Sequence, residues 1–149
     1  MCAITIRPAK RADLPGMLDL YRHLNPDDPT PDPAKVEMAW SALIGSDLTT
    51  VIVADASGTL VSSCTLVIIP NLTRGARAYG LIENVVTHAN YRRNGPGRAV
   101  MSAALDTAWK ADCSKVMLAT GSRREETLRF YERLGFDFVT KTFFQARRS

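Results

Sequence analysis

Residues 92–97 read Arg-Arg-Asn-Gly-Pro-Gly, set between a β-branched run that ends at Thr87 and an apolar stripe that begins at Val100. A strand that turns through glycines directly into a helix restricts the chain to an α/β arrangement, with the helix packed on a sheet. Pro96 sharpens the restriction, because a residue with fixed φ and no N–H is tolerated in the first turn of a helix but not deeper. Such a turn also has a chemical use. Glycines let backbone N–H groups converge on an anion, and the helix N-terminus adds positive potential. Arg92, Arg93 and Arg98 supply formal charge. The turn lacks the third glycine and distant acid of a dinucleotide fingerprint, and the Gly-Lys-Ser/Thr end of a P-loop. A purely structural turn has the same composition.

The surrounding sequence supplies the other elements. Met1 to Pro8 reads as a first strand rather than a signal peptide, since it has neither a basic start nor a long apolar run. Asp13 is expected to cap a helix carrying Leu14, Met17, Leu18, Tyr21 and Leu24. The prolines between Asn25 and Pro33 then end it in a stiff acidic loop. A second helix is expected from Pro33 to about residue 44, closed by Gly45. Val51–Ala54, the turn Asp55–Gly58 and Leu60–Ile69 read as a β-hairpin. In Tyr79–Thr87 the pairs Leu81-Ile82 and Val85-Val86 flank Glu83-Asn84, a broken alternation that a β-bulge would accommodate.

Val100, Met101, Ala104, Leu105, Ala108 and Trp109 form the stripe of the helix after the glycine turn. Lys115–Ala119 reads as a short strand. Ser122 with Glu125 has the form of a capping box for a helix through Leu134, ended by Gly135. Phe136–Val139 and Thr142–Gln145 are expected as two closing strands.

At 149 residues, 46% hydrophobic and 23% charged, the chain has the size and composition of a single domain spanning residues 1–149. No apolar stretch approaches the roughly 20 residues that cross a bilayer, so no membrane partner is expected and the cytoplasm is the expected location. Cys2, Cys64 and Cys113 are odd in number and widely spaced, which fits neither a disulfide framework nor a zinc site. The net charge of +4 raises a polyanionic partner, either nucleic acid or a phosphorylated small molecule. Only the arginines at 92, 93 and 98 are tied to glycines, which favours the second and predicts no nucleic-acid partner.

The segment Val85-Val86-Thr87-His88-Ala89-Asn90-Tyr91-Arg92-Arg93-Asn94-Gly95-Pro96-Gly97-Arg98 resembles the central signature of the GNAT family of N-acetyltransferases. Phe130-Tyr131-Glu132-Arg133-Leu134-Gly135-Phe136 resembles the family's second signature, in the family's order and at its usual distance. The resemblance implies a mixed, mostly antiparallel sheet flanked by helices and splayed between strands 4 and 5. It implies acetyl-CoA as acyl donor, no metal, direct transfer to a primary amine of a small molecule or a protein, and a homodimer. It assigns Val85, Val86, Thr87, Arg92, Arg93, Asn94, Gly95, Gly97, Arg98 and Ser122 to the donor. Two departures stand out: Pro96 removes one potential phosphate donor, and Arg124 replaces an asparagine common near the pantetheine arm.

By the same resemblance Glu83 and Asn84 face the amine as base or water-holding residue. The alternative is a polar pair on a partly exposed strand. Val85 would present its N–H to the thioester oxygen, and Tyr131 would protonate the departing sulfur, or else be a ring in the core. His88 and His23 read as surface histidines. Asp27, Asp28 and Asp32 either steer a cationic acceptor or are solvated. Pro70–Arg77 with Ile82–Val86 is similar to the glucosamine-6-phosphate N-acetyltransferase branch. Arg74 and Arg77 would then meet an anionic acceptor group or lie in a solvated loop. A non-catalytic CoA-binding regulatory module is the alternative function, and it would tolerate the loss of Glu83 and Tyr131.

Overall fold

The computed structural model describes residues 2–148, so Met1 of the expected first strand lies outside it. Five strands form one mixed sheet: β1 (Ile4–Pro8), β2 (Thr49–Ala56), β3 (Thr59–Ile69), β4 (Tyr79–Thr87) and β5 (Val116–Leu118), in that spatial order. All neighbours are antiparallel except β4 and β5, which run parallel. The β2–β3 hairpin turns on two residues, Ser57 and Gly58, at φ of 53° and 96°. Two left-handed residues match the twist of the flanking strands, and the Gly58 N–H donates to Asp55 Oδ1 at 2.7 Å.

Helices cover both faces. On one, α4 (Pro96–Lys110) lays Val100, Met101, Ala104 and Ala108 on Ile52, Ala54, Val61, Cys64, Leu66 and Ile82. On the other, α1 (Leu14–Tyr21) and α2 (Pro33–Gly45) bring Met17, Leu20 and Trp40 onto Val51, Val53, Leu60 and Val86. Trp109 does not join the α4 stripe and is 51% exposed. Nine residues at about 100° each place it about 180° around the helix from Val100.

The expected bulge is present. Ser63 pairs with Val86 and Thr65 with Glu83, so Cys64 faces two β4 residues, Asn84 and Val85. Asn84 takes φ of 52°, a left-handed conformation that asparagine enters more readily than most residues. The β4–β5 ladder covers only Gly80–Ile82 against Val116–Leu118. Beyond Ile82 the two strands separate, and β4 continues to Thr87 with that edge open.

Three local expectations are corrected. Asp13 does not cap α1 with its side chain; its carboxylate accepts the Lys10 N–H at 2.6 Å and binds Arg7, so it closes the preceding 3-10 turn, Arg11–Asp13. The last helix, α5 (Glu125–Glu132), starts after Arg124. Ser122 Oγ instead accepts the Arg124 N–H at 3.3 Å and bonds Thr127 Oγ1 at 3.1 Å, so the capping box does not form.

The third correction concerns Phe136–Val139 and Thr142–Gln145, which are not strands. Asp137 Oδ1 accepts the N–H groups of Val139 and Thr140, an Asx turn that breaks the extended run. β5 itself is only three residues long, which gives a further strand little to pair with. The remaining piece, α3 (Thr73–Ala76), is a single turn in which Arg74, Gly75 and Ala76 all have positive φ.

Candidate active site

The separation of β4 from β5 opens a cleft of about 620 Å³. Val85, Val86 and Thr87 of β4 form one wall, the turn from Arg92 to Arg98 forms the end, and Phe130 and Leu134 of the α5 region close the opposite side. α4 points its N-terminus here. Its first-turn N–H groups have no intrahelical partner, and Pro96 removes one of them. Arg92, Arg93, Arg98 and Arg133 line the cleft against one carboxylate, Glu126, which Arg93 holds at 3.2 Å. The balance is cationic, and an anion with several charges is the ligand it suits.

Gly97 shows how closely the turn approaches β4. A Cβ built there would stand 2.9 Å from Thr87 Oγ1, so no side chain fits. Thr87 is itself held: its hydroxyl lies 2.9 Å from Ser62 Oγ, which donates to Val86 O at 2.8 Å. Gly95 is needed for a different reason, its φ of 91°.

Of the residues expected at the donor, Val85, Val86, Thr87, Arg92, Arg93, Gly95, Gly97 and Arg98 come together in this cleft. Asn94 and Ser122 do not line it. Glu83 and Asn84 sit at the bulge, where both are exposed. Glu83 projects to the α1/α2 face of the sheet, directly opposite Thr65. Tyr131 does not line the cleft. Its ring packs on the α4-side core between Phe130 and Phe136, at centroid distances of 5.1 and 6.2 Å. Burial pushes its phenol above the ordinary tyrosine value, and Cys64 adds in the same direction. The group stays protonated at neutral pH. Cys64, fully buried, is pushed up to about 12 by burial and is a neutral thiol.

Sequence reasoning missed Glu126, Thr127 and Arg133 as cleft residues. Their signal was helical spacing, since Glu126, Thr127 and Arg133 stand four before, three before and three after Phe130, on its face of α5 and the cap that follows. It also missed Thr65, whose buried Oγ1 has no hydrogen bond although the Tyr21 hydroxyl lies close enough to interact with it. Burial raises the Tyr21 phenol. Arg77 is engaged by Asp112 at 3.1 Å, whereas Arg74 stands exposed on its left-handed turn. Among the described residues no cluster of His, Cys, Asp or Glu could hold a metal ion, and no helix is long and apolar enough to cross a membrane.

Residues 15–136 match the family model described as the acetyltransferase (GNAT) family. A glucosamine 6-phosphate N-acetyltransferase of Trypanosoma brucei brucei is 33% identical over 133 residues, covering 89% of this chain and 88% of the relative. Glucosamine 6-phosphate N-acetyltransferase 1 of Oryza sativa subsp. japonica is 28% identical, with 90% and 81% covered. A solved structure from Agrobacterium tumefaciens str. C58, with a provisional acetyltransferase assignment, superposes with a TM-score of 0.91. It is 44% identical, and the match covers 97% of this chain and 99% of that one.

Proposed function

The chain belongs to the acetyltransferase (GNAT) family, and on that premise we propose that it transfers an acetyl group from acetyl-CoA to the primary amine of a small amino-sugar acceptor. The observation that carries this reading is the cationic cleft at the β4–β5 separation, with a helix N-terminus at its end and an unpaired strand edge along its wall. Gly97, whose missing Cβ lets α4 pack against Thr87 of β4, brings the helix N-terminus to the cleft where a pyrophosphate would sit. Arg92, Arg93 and Arg98 neutralise it, while the open edge of Val85–Thr87 accepts the amide-bearing arm.

Acetyl-CoA supplies the activated acetyl group. The Val85 N–H, at the bulge, polarises the acyl oxygen. Glu83, with Asn84 beside it, takes the proton of the attacking amine directly or through water, from the face that carries α1 and α2. Tyr131 stands beyond the lined part of the cleft, near Cys64, the β3 residue opposite the bulge; kept protonated by burial, it gives its proton to a sulfur departing at that end. Among the described residues no cysteine lines the cleft, which fits direct transfer without an acyl-enzyme.

The acceptor class rests on the two relatives that act on glucosamine 6-phosphate. Arg74, exposed on α3 between β3 and β4, is the cation that would meet an acceptor phosphate; Arg77 is already paired with Asp112. A homodimer is part of this reading. β5 leaves its outer edge unpaired, and the tail exposes Phe138, Phe143 and Phe144 at 58%, 66% and 86%. Sedimentation velocity at micromolar concentration reads it directly: a monomer would remove the dimer from the account.

The reading is tested by following acetyl-CoA consumption with a panel of hexosamines, hexosamine phosphates, amino acids and polyamines. We expect turnover with the amino sugars, highest for the phosphorylated ones. Turnover confined to another amine class would overturn the acceptor assignment. Tight CoA binding with no turnover on any amine would favour a non-catalytic CoA-binding module.

A further inference from the structure

His23, just past the end of α1, and His88, just past β4, are 65 positions apart in the sequence, yet their rings stack at 4.1 Å between centroids, tilted by 41°. Each ring accepts a backbone N–H from the same short segment. His88 Nδ1 accepts from Asn90 at 3.1 Å, capping the 3-10 turn Ala89–Tyr91, and His23 Nδ1 accepts from Ala89 at 3.4 Å. That turn leads directly into the Arg92–Arg98 end of the cleft. Arg92 is tied to the same assembly, because its guanidinium donates to Thr87 O at 3.3 Å and to His23 O at 3.5 Å.

The arrangement uses Nδ1 of each ring as a hydrogen-bond acceptor, which for His23 means the neutral imidazole. A ring whose Nδ1 accepts carries its proton on Nε2, and a second proton on Nδ1 would face an N–H with an N–H. The charged groups around the pair set the same preference. Arg92 faces it from the donor turn, and Tyr91 packs edge-on against His88 at 5.6 Å. Asp19, on α1 one turn before His23, is exposed and lies 3.7 Å from Arg22. The β2–β3 turn contributes only Gly58, Thr59 and Leu60 to this side. Loss of hydration, then His88 and Arg92, hold His23 below the ordinary histidine value. A base shifted this way stabilises the assembly fully above the ordinary histidine range, and that stabilisation fades as pH falls toward the depressed value.

We propose that His23 and His88 are positioning residues for the donor-binding turn: their Nδ1 acceptors fix Ala89–Arg92, and protonation of His23 releases Arg92 and weakens acetyl-CoA binding. The inference rests on the donor occupying the β4–β5 cleft. Neither histidine touches the donor in this account.

Calorimetric titration with acetyl-CoA between about pH 7.5 and about pH 5.5 tests it. The proteins compared are wild type, His88→Ala, His88→Asn and the double variant His23→Asn/His88→Asn, each checked for folding by circular dichroism. Asparagine keeps an acceptor near Nδ1 but does not titrate, so the double variant records the contribution of the coenzyme's own phosphates. We expect wild type to lose about tenfold more affinity than the double variant over this range. At the upper pH His88→Ala should bind more weakly, and His88→Asn should restore much of the loss. Identical pH profiles for wild type and the double variant would overturn the inference, as would wild-type affinity in His88→Ala. If wild type bound no acetyl-CoA at any pH, the donor-site reading itself would fall, and this inference with it.

Discussion

A Cβ at Gly97 would meet Thr87 Oγ1 at 2.9 Å, and Thr87 cannot easily retreat because its hydroxyl is held by Ser62. Gly97→Ala should therefore push α4 away from β4, destabilising the fold by about 1–3 kcal/mol and weakening acetyl-CoA binding at least tenfold or so. Combining it with Thr87→Ala removes the clashing oxygen and should recover part of the stability. A double-mutant cycle by urea denaturation and calorimetry measures both, and additive losses would show that the two residues do not press on each other. Tyr131 makes a different demand. A thiolate leaving group near pKa 8.5 gains from a donor that is still protonated, and burial holds the Tyr131 phenol in that form. Tyr131→Phe keeps the packing against Phe130 and Phe136 and should lower turnover about 100-fold while acetyl-CoA affinity changes little. Turnover within about threefold of wild type, with chemistry rate-limiting, would return the ring to a packing role.

Among the elements, β1 is short and lies at the sheet edge, and a polar tie fastens it. Arg7 donates to Asp13 at 2.7 and 3.0 Å and to Asp55 at 2.9 Å, joining β1 to the 3-10 turn and to the β2–β3 hairpin. All three side chains are no more than 20% exposed. The guanidinium holds both carboxyls below the usual carboxylate range. Their stabilisation is present above the unfolded carboxylate value and is lost as pH falls through the depressed ones, so acid unfolding should begin below about pH 4. Arg7→Met should cost about 2 kcal/mol at neutral pH and flatten that acid dependence, measured by chemical denaturation across pH; an unchanged pH profile would deny the tie its role. How much of this architecture the sequence reveals depends on how local each cause is. The bulge is legible because two apolar pairs cannot both face inward in a period-two strand unless the register slips between them, at Glu83-Asn84. The glycine turn is legible because Pro96 and the glycines admit few conformations. The tail is not: residues 136–145 have strand-forming composition, but a strand also needs a partner edge, and Asp137 turns the chain locally. Ser122 and Glu125 match a capping box, yet Ser122 finds Thr127 and Arg124 instead. Nor does any local pattern announce that α1 brings His23 to His88, or that α5 turns Glu126 and Arg133 toward the glycine turn.

Across the whole molecule, one geometric event organises the site. β4 keeps β5 for three residues and then loses it, just before the bulge at Asn84–Val85. The sheet therefore offers an unpaired strand edge at the same level as the N-terminus of α4, with arginines on both sides of the opening. The donor would enter from the α4 and α5 side, and the amine from the face that carries α1 and α2, where Glu83 is exposed; the bulge is where the two meet. Backbone amide resonances measured during a titration with coenzyme A test this arrangement most directly, because they report each N–H separately. The account predicts saturable shifts concentrated at Val85–Thr87 and Arg93–Arg98, with small changes at β1 and the β2–β3 hairpin. Binding that left the amides of Gly95, Gly97 and Arg98 unmoved while shifting another surface would contradict it.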